Sequence, residues 1–165
     1  MKHFFAAFLL LLCLCAAGPD ATCQTRTYSD NAANTFVFGL DSYFYGPSGS
    51  LEFEAGGASF HATVENGHVQ VNGTPLESGQ EEVVVGIHDF TGNRTPELVV
   101  ARRSASQVML SLYGLSGGKW LPIGRIDPVD GSEMRVFRQV VSVRNGDTLQ
   151  SWTWHGNGFD YKSNR

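Results

Sequence analysis

Apolar and polar residues alternate along much of this chain with the period of two that is typical of a β-strand with one buried face. The alternation is clear in residues 51–54 and 107–115. Residues 82–87 and 98–101 are instead almost continuously apolar and rich in β-branched side chains, as in short buried strands. No segment has a sustained helical period, so we predict an all-β protein.

Turn residues divide this pattern into about ten short strands. Nineteen glycines occur in the 165 residues, and turn signals recur every eight to twelve positions. This spacing predicts an antiparallel sandwich, an open barrel or a partial propeller-like sheet. Residues 35–165 are predicted to form this single domain.

The clearest hairpin spans residues 59–72 and turns at Asn66-Gly67, a dipeptide that accepts positive φ at both central positions of a type I′ turn. A two-residue turn pairs Glu65 with His68. In that register the residues that face the core are Phe60, Ala62, Val64, Val69 and Val71. His61 and His68 share the opposite face but lie about three residues apart at roughly 3.4 Å each, too far for one zinc ion.

Two further segments are predicted to form strands. Residues 35–45 are predicted to form a first strand pair with Phe36, Phe38 and Leu40 on one face. Residues 119–126 contain a proline, which places this strand at a sheet edge.

The C-terminal third predicts two more hairpins. Residues 134–144 and 148–154 form one of them around Asn145-Gly146-Asp147, and the sequence leaves its register open. Residues 152–161 form a tight aromatic hairpin.

The N-terminus has the features of an export signal. A short polar start precedes an apolar run of about 14 residues, and Cys15-Ala16-Ala17 suits a small-residue cleavage site. The run is shorter than the roughly 20 residues that span a bilayer. We predict that residues 1–17 are a signal peptide, that residues 18–34 are a flexible leader, and that the exported protein has no transmembrane span.

Cysteine usage limits how the mature chain is stabilised and anchored. Cleavage after Ala17 leaves Cys23 as its single cysteine, which excludes an internal disulfide. A lipid attached at Cys15 or Cys23 would make the protein an outer-membrane or cell-surface lipoprotein. Secretion or release into the periplasm is the alternative.

Charge is distributed unevenly along the sequence. Residues 18–93 contain one basic and ten acidic residues, whereas residues 94–165 contain ten basic and six acidic residues. Either the two halves neutralise each other within one domain, or they form a bipolar surface that attracts a charged partner. The mature chain is net acidic, which argues against nucleic acid as a ligand.

A polar loop separates the two continuous apolar segments and is the best candidate site. Its side-chain oxygens and one backbone carbonyl are supplied by Asp89, Thr91, Asn93, Thr95 and Glu97. A short loop wraps a hard cation with oxygens at alternating positions, so calcium is the candidate ligand. The alternative is an ion-free loop fixed by hydrogen bonds from Asp89 and Asn93.

Residues 89–100 resemble the loop of FG-GAP and VCBS-type repeats, in which Asp-x-Asn-Gly-Asp-Gly-x-x-Asp precedes an apolar strand. In those repeats the loop oxygens hold calcium in a β-hairpin, so the resemblance implies the same role for the five residues above, with Thr95 acting through its carbonyl. The chain departs from the pattern at Thr91, Asn93 and Arg94, and Arg94 stands where glycine is usual. The motif occurs once, which does not predict a closed propeller.

Residues 89–111 resemble, more distantly, the centre of a class of exported lysozyme inhibitors. In that class a similar loop is followed by Arg-Ser and by a Gly-Ser-rich loop that enters the cleft of the enzyme. Arg103-Ser104 matches this order, although residues 104–107 contain no glycine. The resemblance implies an inhibitor of a lytic enzyme as an alternative function, with residues 103–107 as a protruding loop.

Motifs for catalysis are absent from the sequence. It has no Gly-x-Ser-x-Gly elbow and no His-Glu-x-x-His, and the mature histidines are scattered among separate segments. A small hydrolase is the remaining enzyme alternative, and it requires a pocket with His88 or His155 near a carboxylate. We therefore predict a non-catalytic protein that binds another protein or an envelope component.

Two features could contact such a partner. The candidate contact residues are Arg103, Ser104, Ser106, Trp152 and Trp154. Exposed tryptophans supply contact area at low entropy cost, but the same aromatics could fill the core of a small β domain. A second candidate is a basic face formed by Arg102, Arg103, Arg125, Arg135 and Arg138.

Overall fold

The computed structural model describes residues 35–164, which form three stacked β-sheets with fourteen strands. The all-β prediction is confirmed, and the described residues include no helix, hence none long and apolar enough to cross a membrane. The predicted signal peptide, the leader and both candidate lipid-bearing cysteines lie outside the described residues.

The strands are β1 (Val37–Phe38), β2 (Ser42–Tyr45), β3 (Ser48–Ala55), β4 (Ala58–Glu65), β5 (His68–Val71), β6 (Thr74–Ser78), β7 (Glu82–His88), β8 (Glu97–Ser104), β9 (Gln107–Ser116), β10 (Lys119–Asp130), β11 (Glu133–Phe137), β12 (Val140–Asn145), β13 (Thr148–Trp154) and β14 (Phe159–Asn164). They exceed the expected ten in part because β6 was not predicted and because residues 134–144 form two strands instead of one.

Each sheet is built on a four-stranded antiparallel meander. The first sheet is β3–β6, the middle sheet is β7–β10 with β2 added beside β7, and the third sheet is β11–β14 with β1 added beside β11. β1 and β11 are parallel. The sheets do not close into a barrel, so the architecture combines sandwich-like stacking with the repeated meanders of the propeller-like alternative.

Both faces of the middle sheet are buried. On β8, Leu98 and Val100 face a core shared with the first sheet, whereas Val99 and Ala101 face a core shared with the third sheet. All four side chains are at most 1% exposed. This double burial is the physical reason for the continuous apolar runs in the sequence.

The two cores are filled largely by aromatic and branched side chains. The core between the first and middle sheets includes Leu51, Phe53, Phe60, Val64, Val85 and Trp120. The core between the middle and third sheets includes Phe36, Phe90, Leu110, Met134, Val141 and Trp154.

The hairpin at residues 59–72 has the predicted register. Glu65 pairs with His68, Val64 with Val69, and Ala62 with Val71. The five apolar residues predicted to face inward are all buried, and His61 and His68 are exposed on the other face. Asn66 and Gly67 both have positive φ, as this turn requires.

Residues 35–45 do not form the predicted strand pair. β1 joins the third sheet and β2 joins the middle sheet, because the chain turns between them at Gly39, whose φ is +88°. A Cβ at this position would lie 1.9 Å from the carbonyl oxygen of Val136. Phe36 and Phe38, which were predicted to share a face, differ in burial, since Phe36 is 1% exposed and Phe38 is 40% exposed.

Residues 134–144 are two strands instead of one. A two-residue turn at Arg138-Gln139 pairs Phe137 with Val140 and separates β11 from β12. The turn contains none of the residues that usually signal one, and Arg138 adopts a positive φ of 53°. The hairpin of β12 with β13 is confirmed, and its register pairs Asn145 with Thr148 around a two-residue turn.

The strand predicted for residues 119–126 extends to residue 130 as β10, at the edge of the middle sheet as expected. Its pairing with β9 shifts between Pro122 and Gly124 and again between Ile126 and Val129. Such irregularities weaken an exposed edge as a template for further pairing.

Candidate functional site

The candidate loop, residues 89–96, joins β7 to β8 at one end of the middle sheet. His88 and Glu97 form the last strand pair before it. Because β7 and β8 are buried on both faces, the ends of the loop are held in a fixed position.

The carboxylate of Asp89 organises this loop. Its Oδ1 accepts hydrogen bonds from the backbone N–H groups of Gly92 (2.7 Å) and Asn93 (3.2 Å), and its Oδ2 accepts one from Arg94 (2.9 Å). The loop therefore closes around the carboxylate, and Arg94 is held at a φ of +69°, a conformation that L-residues adopt at a cost.

Glu97, the first residue of β8, is hydrogen-bonded to the start of the loop. It is 5% exposed. Its carboxylate accepts hydrogen bonds from the backbone N–H of Phe90 (2.8 Å) and the hydroxyl of Thr91 (3.0 Å). Burial raises the pKa of Glu97 above the usual 4.5, although these two hydrogen bonds act in the opposite direction.

The side-chain oxygens assigned to calcium are thus brought together and hydrogen-bonded within the loop. The amide oxygen of Asn93 accepts the backbone N–H of Thr95 at 2.7 Å, and the hydroxyl of Thr91 bonds to Glu97. These bonds match the ion-free alternative, in which backbone N–H groups of the loop donate to the side-chain oxygens of Asp89 and Asn93. Among residues 35–164 no three His, Cys, Asp or Glu side chains cluster as a metal site would require. Calcium binding stays a prediction of the resemblance.

His88 ties this loop to two other parts of the chain. Its Nδ1 lies 3.3 Å from the carboxylate of Asp41, which precedes β2, and its Nε2 lies 2.8 Å from the carbonyl oxygen of Arg138 in the β11–β12 turn. Only the protonated ring can donate to both acceptors. Burial lowers the pKa of His88, but Asp41 and the Arg138 carbonyl outweigh it, and the pKa is raised above 6.5.

Phe90 anchors the loop in the second core. It is fully buried, and its ring makes edge contacts with His88 and Phe159 at centroid distances of 4.8 and 5.9 Å. The site is therefore a junction between the middle and third sheets. The sequence did not indicate Asp41 or Arg138 as part of it, because both are brought there by strand order alone.

The hydrolase alternative requires a pocket in which His88 or His155 lies near a carboxylate. Both ring nitrogens of His88 face acceptors, which leaves neither directed at a substrate. His155 Nε2 lies 3.5 Å from the exposed carboxylate of Asp160. A cavity of about 670 Å³ opens between the β2–β3, β4–β5 and β6–β7 connections. It is lined by residues 45–47, 66–67 and 79–83, which include no histidine.

The five predicted contact residues do not form one surface. Trp154 is 1% exposed and belongs to the second core, so its assignment to a contact surface is corrected. Trp152 is half-buried against Tyr161, at 5.2 Å between ring centroids. Arg103 pairs with Glu82, and its guanidinium lies 4.7 Å from the ring centre of Phe36.

The β8–β9 turn is exposed but short. Ser104 pairs with Gln107, which leaves two residues in the turn. The carbonyl of Ser106 accepts the N–H of Gly131 at 2.8 Å, and the amide of Gln107 donates to Asp130. Residues 103–107 are thus a tight turn fixed to the β10–β11 connection, without the length that the inhibitor alternative expects.

The candidate basic face is not continuous either. Arg102 is 4% exposed and points to the first core, whereas Arg103 on the same strand points to the third sheet. Arg125 lies on β10 at the edge of the middle sheet. Arg135 and Arg138 lie at the third sheet, where each guanidinium group lies over an aromatic ring.

An aromatic–basic face covers the outer side of the third sheet. Strand register places on it Phe38, Arg135, Phe137, Arg144, Leu149 and Lys162, with Arg138 at its edge. Phe137 is 69% exposed, Phe38 40% and Leu149 37%. The guanidinium of Arg135 lies 5.5 Å from the ring centre of Phe38, and that of Arg138 lies 5.3 Å from that of Phe137.

This face was missed because the turn at Arg138-Gln139 was not recognised. Once β11 is separated, the alternation of Met134 and Val136 with Arg135 and Phe137 separates a buried side from an exposed side. That alternation was the available signal.

Comparison of the chain with protein-family models, with curated proteins and with solved structures gave no match.

Proposed function

We propose that this chain is an exported, non-catalytic interaction protein of the cell envelope, and that it binds its partner through the aromatic–basic face of the third sheet. Export is supported by the predicted signal peptide at residues 1–17. The binding role rests on the concentration of exposed apolar side chains on one face.

That concentration is the observation that carries the proposal. Five large hydrophobic side chains are exposed among the described residues, and three of them, Phe38, Phe137 and Leu149, lie on this face. Phe38 and Phe137 both lie beside Arg135, and exposed apolar groups bordered by polar side chains are typical of protein contact sites. Aromatic and arginine side chains are also the groups that contribute most to binding energy at such sites.

The loop at residues 89–96 and the adjacent His88 contact the sheet that carries this face. His88 bonds to the carbonyl of Arg138, and Phe90 packs on Phe159 of β14. Both contacts fix the third sheet against the middle sheet. The candidate loop thus acts as the rigid support on which the exposed face is presented.

Capture from an envelope extract tests the proposal. Immobilised wild-type protein is compared with Phe137→Ser, which removes the most exposed aromatic of the face, and with Leu121→Ser as a matched control. Leu121 is 48% exposed but lies on β10, outside the face. We expect Phe137→Ser to lose the captured partner and Leu121→Ser to keep it. Equal capture by both variants, or none by the wild type, would reject the assignment of this face.

A further inference from the structure

We propose that the partner of the aromatic–basic face is a second copy of this chain, which contributes the outer face of its first sheet in a head-to-tail contact. The inference rests on the proposed function, because it names the partner of the same surface.

The two faces lie at opposite ends of the molecule. The middle sheet has the first sheet on one side and the third sheet on the other, and a hydrophobic core fills each gap. The outer sides of the first and third sheets are therefore the two sheet faces left without a covering sheet among the described residues. Sheets stack about 10 Å apart, so a further sheet added at either end would continue the existing arrangement.

The outer side of the first sheet is acidic. Its exposed carboxylates are Glu52, Glu54 and Glu65, and no lysine or arginine occurs between residues 35 and 93. We call these three residues the acidic face. Strand register sets Glu52 opposite His61 and Glu65 opposite His68, so all three carboxylates point to the same side of the sheet.

The opposite end of the molecule carries the complementary charge. Four cations (Arg135, Arg138, Arg144 and Lys162) outnumber three carboxylates (Glu133, Asp147 and Asp160) on or beside the aromatic–basic face, and Glu133 is paired with Arg135. Arg135 and Arg138 are also held over aromatic rings. Arg135 donates its Nε–H to Glu133, and the remaining N–H groups of the two guanidiniums can donate charge-assisted hydrogen bonds to an approaching carboxylate.

Charge also selects the orientation of the contact. A symmetric contact between two aromatic–basic faces would place Arg135 and Arg138 of both copies together, and a symmetric contact between acidic faces would place six carboxylates together. Both arrangements are opposed by repulsion between like charges. The head-to-tail contact instead joins opposite charges. Such an interface is heterologous, so it propagates into a ring or an open filament.

The size of the faces predicts a weak contact. Five strands spaced about 4.8 Å apart and about 20 Å long make a face of about 400 Å², roughly half of the 800 Å² per partner of a stable interface. We therefore expect association in the micromolar range or weaker, with a strong dependence on salt.

Analytical ultracentrifugation of the exported protein tests this inference. We expect the average mass to rise with protein concentration at about 10 mM salt, where the Debye length is about 30 Å, and to fall to that of a monomer at about 1 M salt. A wild type that stays monomeric at low salt overturns the inference. If that protein still captures an envelope partner through Phe137, the proposed function survives.

Charge-reversed variants test the orientation. Arg135→Glu with Phe137→Glu disables one face, Glu52→Lys with Glu65→Lys disables the other, and Arg125→Glu on β10 is the matched control. We expect each face variant alone to be monomeric, an equimolar mixture of the two to associate again because each variant supplies the charge that the other has lost, and the control to match the wild type. Dimers of either face variant alone would overturn the head-to-tail arrangement. Thermal melting confirms folding, and Arg144→Glu or Glu54→Lys replaces a variant that does not fold.

Discussion

Arg102 on β8 and Glu77 on β6 form an ion pair 2.8 Å long that joins the middle sheet to the first sheet, with 5% and 19% of their side chains exposed. Arg102 also donates to the carbonyl of Gly67, and the hydroxyl of Tyr113 donates to the second carboxylate oxygen of Glu77. Burial and the nearby Glu77 raise the pKa of Tyr113. The carboxylate of Glu81 lies 3.7 Å from the Arg102 guanidinium and completes this polar cluster between the two sheets.

Removing the cation from this cluster should be costly. We expect Arg102→Met to lower the free energy of unfolding by about 3 kcal/mol, because Glu77 is left buried without its positive partner. The neighbouring Arg103→Met is the matched control, since the Arg103–Glu82 pair is more exposed and should contribute less than about 1 kcal/mol. Urea unfolding measures both variants. Equal losses of unfolding free energy in the two variants would contradict the expectation that the more buried ion pair contributes more to stability.

The contact between His88 and Asp41 predicts a dependence of stability on pH. The pKa of His88 is higher in the folded chain than its usual 6.5, so its contribution to stability is complete below pH 6.5 and is lost as the pH rises through the folded pKa. We expect the melting temperature to fall between about pH 6 and pH 8, and Asp41→Asn to reduce that fall. An NMR titration of the His88 ring checks the cause directly. A midpoint at or below pH 6.5 would contradict this account.

The backbone at Arg94 predicts a stabilising substitution. A left-handed φ costs an L-residue about 1–2 kcal/mol, whereas glycine adds up to about 1 kcal/mol of chain entropy to the unfolded state. We expect Arg94→Gly to raise the free energy of unfolding by up to about 1 kcal/mol. Arg94→Ala is the control, because it removes the charge and keeps the backbone cost. If Arg94→Ala stabilises the protein as much, the side chain and not the φ of +69° is responsible.

The hydrogen bonds of Asp89 predict a loss that does not depend on calcium. Asp89→Ala leaves three backbone N–H groups without their acceptor, and we expect it to lower the free energy of unfolding by about 1–2 kcal/mol in the presence of a chelator. Thermal melting with millimolar calcium separates the ion from the loop. The FG-GAP resemblance predicts that calcium raises the melting temperature of the wild type but not of Asp89→Ala. With no rise in either, the hydrogen bonds are the complete explanation of the loop.

Strand pairing and burial were predicted correctly from the sequence where turn residues and apolar–polar alternation gave strong local signals. The Asn66-Gly67 turn determined the register of its hairpin, and the alternation of residues 51–54 identified the buried side of β3. Both depend on residues within one hairpin, where turn geometry and period fix the pairing.

The predictions failed where pairing is non-local. The parallel contact of β1 with β11 joins residues about one hundred positions apart, and no local pattern encodes it. Arg138 adopts its turn conformation because strands on both sides require it. Asp41, His88 and Arg138 meet for the same reason, so the composition of the junction could not be derived from the loop motif alone.

The double burial of β8 has a consequence for how this strand finds its orientation. In a strand with one solvent-exposed side, the polar residues determine which side faces the core. Rotation of β8 by half a turn would only exchange one apolar pair, Leu98 and Val100, for another, Val99 and Ala101. The adjacent Arg102 and Arg103 break this near-equivalence. Arg102 pairs with Glu77 and Glu81, whereas Arg103 on the other side of the strand pairs with Glu82, so two neighbouring cations specify which side of β8 faces the first sheet.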